Sequence, residues 1–272
     1  EMNAIVDPQK STTKAVTRVP NLKKAVQAEE YAACIERAML WTQFSKNKNN
    51  KAKSRPVFIA EATRHVLRNK TVEIYPEELV VGNFTAHRVI YPEMTGIAPM
   101  MEIFKIPTRR VNPLNIKFLD RIKLALTIPY WLTRNTAVLA FDNNEDRARF
   151  AKEQGEALQY QLYEAGGIAH LAPGYEKIIR LGAEGIIAEV EAFEAQTTDP
   201  EKLEFYRGVK ISMEALGEFG DRYAAEATRV ASDERDPVRR QELEKIAEVC
   251  TRVPRHGASS FYEAVQCMTL VH

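Results

Sequence analysis

The sequence predicts a mainly α fold with few short strands. Three observations predict it: apolar residues recur at three-, four- and seven-residue spacing, Asp-Pro pairs stand ahead of two such runs, and only one short run is β-branched and apolar. The 272 residues suffice for one large domain or two small ones with a sizeable core. Hydrophobic residues make up 45% and charged residues 28%, the balance of an ordinary folded interior.

Taken in order, residues 1–22 are expected to form an extended or flexible leader, and Glu29 to Phe44 an amphipathic helix. Ser45 to Ser54 is basic and poor in apolar residues, so it reads as a solvated loop. Ser54-Arg55-Pro56 opens a helix whose face carries Ile59, Ala62, Val66 and Leu67. Leu79-Val-Val-Gly82, bounded by Pro76 and Gly82, is the clearest strand. Pro92, Pro99, Pro107, Pro113 and Pro129 then mark an irregular, packed connection.

Asn144 to Tyr163 and Tyr175 to Phe193 read as further helices. Asp199-Pro200 provides an N-cap and a first-turn proline before the longest helix, whose buried face carries Tyr206, Met213, Leu216, Gly220, Tyr223, Ala227 and Val230. Asp236-Pro237 repeats the device before Leu243, Ile246, Ala247 and Cys250, which predicts an antiparallel pair joined by a short turn. Phe261 to His272 is an apolar periodic run that stops without glycine, basic last turn or proline. With Glu1 rather than Met at the start, it suggests a piece of a longer chain. No internal repeat is present.

Charge excludes whole classes of partner. Lys and Arg total 38 against 37 Asp and Glu, a formal net charge of +1, so no broad field attracts nucleic acid or anionic lipid. Cys34, Cys250 and Cys267 form neither a C-x-x-C pair nor a disulfide framework, which favours a reducing, cytoplasmic setting. No apolar run approaches the ~20 residues that span a bilayer, and no export signal is written.

Few residues carry chemistry. Gly166-Gly167 ahead of His170 permits close backbone approach, and an imidazole there can donate to and accept from a substrate oxygen. On the residues alone, a histidine packed at a loop–helix junction is the simpler reading. His87, near Tyr91 and Glu93, lacks the spacing of a helical metal pair, and no metal site is expected. The three cysteines sit on apolar helical faces, where a thiol acts as a small hydrophobe. Gly82-Asn83 suits a tight turn; Glu77 and Glu78 could pair with Arg64 or Arg68, but turn chemistry and surface pairing are the simpler reading for all four charges. No nucleophile–base pair stands at a recognisable spacing, which counts against a self-contained hydrolase.

Three segments, in order, resemble the pyruvate formate-lyase-like domain of glycyl radical enzymes. The first is Arg55-Pro56, a helix, and Val72-Glu-Ile-Tyr-Pro-Glu-Glu-Leu-Val-Val-Gly-Asn83. The second runs from Pro129-Tyr-Trp131 to Gly166-Gly-Ile-Ala-His-Leu-Ala-Pro-Gly-Tyr175 and Gly182-Ala-Glu-Gly-Ile-Ile187. The third joins Arg222-Tyr223, Arg240-Gln-Glu-Leu243, Ile246-Ala247, Cys250, Val253-Pro254 and Phe261-Tyr-Glu-Ala-Val-Gln266. Each motif is weak alone; their ordered succession from Arg55 to Gln266 carries the resemblance.

The resemblance implies that 1–272 is the amino-terminal, incomplete portion of such a domain, the helical part of a ten-stranded α/β barrel. It implies anaerobic radical cleavage of a C–C or C–heteroatom bond in a small organic substrate, by a lyase or dehydratase. The thiyl-forming cysteine loop and the radical-bearing glycine loop would lie downstream, so no catalytic residue is expected in this chain and the stretch alone should be inactive. Implied partners are the remainder of the barrel, on the same or a separate chain, a radical-SAM activating enzyme that installs the glycyl radical, and a second copy in a full-length homodimer. No bound cofactor is implied. In dehydratase-like members a histidine in the His170 stretch lines the substrate pocket, so the resemblance assigns His170 to substrate binding. The segments around Tyr91-Pro-Glu93 and Met100 to Phe104, and the lack of a pyruvate-specific arginine signature, favour a dehydratase-like or other lyase branch. The competing reading is a helical scaffold or partner-binding module without catalysis.

Overall fold

Helices hold most of the described backbone in the computed structural model, which describes residues 8–28, 32–50, 52–83, 103–110, 113–134, 141, 143–156 and 173–272, with backbone alone at 8–16, 106, 154 and 155. Among these residues the helices are α1 (Pro8–Ala28), α2 (Glu36–Lys46), α3 (Arg55–Asn69), α4 (Phe118–Ala125), α5 (Ile128–Trp131), α6 (Asn144–Gly155), α7 (Tyr175–Glu194), α8 (Pro200–Asp233), α9 (Pro237–Arg252) and α10 (Phe261–Val271). The chain divides into two units: Glu1–Glu30, Phe44–Arg88 and Gly174–His272 form the first, and Tyr31–Gln43 with Val89–Pro173 the second.

The first unit is organised by α8. Asp199 caps it by accepting from the backbone N–H groups of Glu201 and Lys202, and Asp236 caps α9 by accepting from Val238, so both Asp-Pro pairs act as expected. The backbone of Pro56 lies where a side chain on Gly208 would sit, and the carbonyls of Leu67 and Lys70 accept from Arg222. These contacts set α3 running beside α8 in the same direction. Gly220 lies against the carbonyls of Cys250 and Val253, at the far end of α9, so α9 returns antiparallel to α8. Ile74, Val81, Phe219, Tyr223, Leu243, Ile246, Cys250 and Leu270 close the core between these helices.

A second cluster in this unit forms where α7 breaks. Gly182 takes φ 67°, ψ 177°, and the segment after the cis Val253–Pro254 bond enters the gap. Ala183 and Glu184 donate to the carbonyls of Pro254 and Arg255 at 2.8 and 3.0 Å, and Ala258 donates to Ile179 at 2.8 Å. Peptide groups released by the break are thereby paired again. Ile178, Ala183, Val249, Val253 and Cys267 pack around the junction.

The second unit has its own core of Ala33, Ala38, Ile103, Leu114, Ile116, Leu124 and Trp131. Trp131 Nε1 donates to Thr42 Oγ1 at 2.9 Å, and Thr42 donates to the Ala38 carbonyl at 2.7 Å. Ala32 and Asn115 form a parallel β-bridge.

Several expectations are corrected. Residues 8–22 of the supposed leader are helical, within α1. The helix read from Glu29 begins at Glu36, because Ala32 and Ala33 are drawn to Asn115 instead. No strand forms at Leu79–Gly82, since no neighbouring strand lies beside it among the described residues. Ile59 is exposed on α3, whose buried face is Val57, Ala60, Ala62 and Val66. The part of the helix read to Tyr163 that follows Glu156 lies outside the described residues.

Candidate functional site

The polar seam of the first unit surrounds the extended segment 71–83. A backbone without a strand neighbour needs other partners, and helix side chains provide them. Gln266 on α10 is fully buried, and its amide both accepts from the Val81 N–H at 2.9 Å and donates to the Val81 carbonyl at 2.6 Å. One side-chain amide thus replaces an adjacent strand. The Asn83 N–H donates to Tyr223 Oη at 2.9 Å, and Tyr262 Oη donates to the Leu79 carbonyl.

Two buried cations complete the seam. Lys70 Nζ donates to the Asn83 carbonyl and stands 4.7 Å from the centre of the Phe219 ring. Arg239 donates to the Glu78 and Tyr75 carbonyls at 2.7 and 3.3 Å and pairs with Glu242 at 3.1 Å. Gly82, at φ +149°, allows the chain to lie against α10: a Cβ there would stand 3.0 Å from Thr269 Cγ2. Burial pushes the Tyr223 and Tyr262 hydroxyls up to about 12, so both remain protonated donors or acceptors.

These groups are directed at main-chain atoms. Chemically the seam fixes the path of the chain up to Asn83. The pairing proposed for Glu77 and Glu78 is not the one observed: Arg64 and Arg68 both reach Glu218, with Arg64 also 2.9 Å from Glu214. Glu78 caps a turn by accepting from Tyr75 N–H at 2.9 Å, and Glu77 accepts from Asn21. Turn chemistry therefore describes Glu78, whereas Glu77 makes an exposed bond to a side chain on α1. Burial alone would raise the Glu218 carboxyl, but the hydrogen bonds and charges of Arg68 and Arg64 outweigh it and bring it down to about 2.

His170, the substrate-binding candidate, lies outside the described residues, as do Gly166, Gly167, His87, Tyr91 and Glu93. Of the described histidines, His65 is lowered by burial, and His256 Nδ1 lies 3.3 Å from Glu184 beside the break in α7. Among the described residues no group of three His, Cys, Asp or Glu side chains is placed to hold a metal ion. Burial raises the Cys250 and Cys267 thiols to about 12 and about 11, the behaviour of packed hydrophobes. Glu78-Leu-Val-Val-Gly-Asn83 and the stretch ending at Gln266 stand as separate motifs in the sequence, and only the fold joins them, through the Gln266 amide on Val81. A glutamine among the mostly apolar residues of Phe261 to His272 was the available signal.

Comparison with known proteins places this geometry in a wider context. A family model described as pyruvate formate lyase-like matches residues 10–272. The chain is 28% identical to the isethionate sulfite-lyase of Oleidesulfovibrio alaskensis, covering 96% of itself and 33% of that protein. It is 29% identical to the (2S)-3-sulfopropanediol dehydratase of Klebsiella oxytoca, covering 92% of itself and 31% of that protein. The crystal structure of a glycyl radical enzyme from Archaeoglobus fulgidus superposes with a TM-score of 0.83 at 30% identity, over 93% of this chain and 33% of that one. The chain therefore spans about a third of the length of the relatives it matches.

Proposed function

Because the chain belongs to the pyruvate formate lyase-like family, whose matched relatives are glycyl radical lyases and dehydratases, we propose that it is the amino-terminal wall of such an enzyme. The whole protein cleaves a C–C or C–heteroatom bond of a small organic substrate, anaerobically and in the cytoplasm. The observation that carries the reading is the superposition on a glycyl radical enzyme over 93% of the chain at 30% identity. A sulfite-lyase and a sulfopropanediol dehydratase among the relatives support a lyase or dehydratase over pyruvate cleavage.

In this reading the stored glycyl radical and the cysteine it oxidises belong to downstream segments, and together they supply hydrogen-atom abstraction from substrate carbon. A separate radical-SAM activating enzyme installs the radical, and the whole protein works as a homodimer. The residues of this chain exclude water and position backbone: the seam of Gln266, Tyr223, Lys70 and Arg239 holds segment 71–83 rigid. His170 contributes an imidazole to the substrate pocket, donating to or accepting from a substrate oxygen.

Turnover of small diols and hydroxysulfonates by the anaerobically activated whole protein tests the reaction class. His170→Ala should lower that turnover at least ~10-fold while the radical content, read by electron paramagnetic resonance, stays unchanged. Unaltered turnover would remove His170 from the pocket. A protein that carries no radical yet binds a partner through the described helices would instead favour the scaffold reading.

A further inference from the structure

Polar groups tie helix α1 to the first unit. From Thr17 to Ala28 only Arg18 and Leu22 are half-buried, and every other side chain is exposed, Val19 to 71%. Pro20 stands inside the helix and removes a main-chain hydrogen bond, and no acidic residue occurs between Pro8 and Ala28 to form an internal ion pair. A helix of this kind is marginal in water by itself. Arg18 docks it by reaching Glu242 on α9, the two side chains being 11% and 19% exposed, and Asn21 donates to Glu77 at 3.1 Å. The fit is imperfect. Arg18 Nε and the second carboxylate oxygen of Glu77, Oε2, are buried without a hydrogen-bond partner among the described residues. Glu77 itself is held at φ 67°, in the left-handed region that residues with a side chain avoid.

Both contacts lead to the 75–78 turn. Glu242 divides its carboxylate: Oε1 takes Arg18 and Oε2 takes Arg239 at 3.1 Å, and Arg239 in turn donates to the Glu78 and Tyr75 carbonyls. We propose that α1 is a releasable strap, latched by Arg18 and Asn21, whose release loosens the 75–78 turn while the core around α8 stays folded. Without Arg18, both oxygens of Glu242 are open to Arg239, and a guanidinium drawn into a two-point pair gives up its bonds to the turn carbonyls. Without Asn21, Glu77 loses the bond that opposes its backbone strain. The core of Phe219, Tyr223, Leu243 and Ile246 includes no described residue of α1, so it has no part in the latch. Water reaches the Arg18–Glu242 pair, so salt weakens it and ionic strength works the strap.

Hydrogen exchange read by mass spectrometry tests the strap in the full-length protein, its Arg18→Gln variant and its Asn21→Ala variant, each at about 0.05 M and about 1 M salt. Raising the salt in the unmodified protein, or Arg18→Gln at low salt, should speed exchange across residues 8–28 at least ~10-fold. The amides from Tyr75 to Leu79 should quicken with it, α8 should keep its protection, and salt should add little in Arg18→Gln. Asn21→Ala should produce the same pattern more weakly. If Arg18→Gln fails to fold, the salt response of the unmodified protein carries the same reading. Unaltered exchange in α1 after both treatments, loss of protection in α8 together with α1, or a loosened α1 beside an unaltered turn would each overturn the proposal.

Discussion

Gln266 shows how one buried amide can decide the path of a chain. Replacing it with leucine keeps the volume but leaves the Val81 N–H and carbonyl without their partners inside the core. Each such buried group costs about 1–3 kcal/mol, so Gln266→Leu, which strands two, should lower unfolding free energy by roughly 2–6 kcal/mol, measured by denaturant melts. A loss under ~0.5 kcal/mol would mean that water replaces the amide. Glu218 yields a pH signature. Its folded value near 2 lies below the ordinary 4.5, so its contribution is complete above about 4.5 and fades as pH falls towards 2. Glu218→Gln should remove stability at neutral pH and flatten the acid limb in that window. Cys250 and Cys267, raised by burial, should resist thiol reagents at pH 8 until the protein unfolds. Labelling of either in native protein would contradict the packing described.

At the scale of elements, the caps were readable and the extended segment was not. Asp199 and Asp236 sit before proline, a local pairing that needs no tertiary information, and both helices start where those residues predict. Leu79 to Gly82 carries strand composition, but strand identity depends on a neighbour, and here the neighbour is a side chain 185 residues away. The break in α7 was equally hidden. Gly182 lay in a quoted motif, yet only the fold reveals that a Cβ there would fall 2.3 Å from the His256 carbonyl carbon. Gly182→Ala must therefore shift the 254–258 segment as well as adopt a strained φ, and should cost at least about 2 kcal/mol. Thermal unfolding of the variant measures it. An unchanged midpoint would show that the junction yields freely.

Across the molecule, the family was legible because it is written in ordered motifs spread along the chain, and the match over residues 10–272 agrees with that order. The substrate was not legible, for a physical reason: groups of the described seam face backbone atoms, and the histidine assigned to substrate lies among residues 157–172, outside the described structure. Helix α10 adds a molecular-scale expectation. Glu263 is its one ionised residue and is buried, while Phe261 on the opposite side is 86% exposed. With its acid and its amide turned inward and Phe261 and Met268 outward, this helix presents an apolar outer face of the kind that further protein covers. The central claim is that these helices wall a radical enzyme, and its most direct measurement is electron paramagnetic resonance of the whole protein after anaerobic activation by a radical-SAM partner. The account predicts a carbon-centred radical on glycine, lost on exposure to oxygen; a fully activated preparation that turns over substrate with no such signal would contradict it.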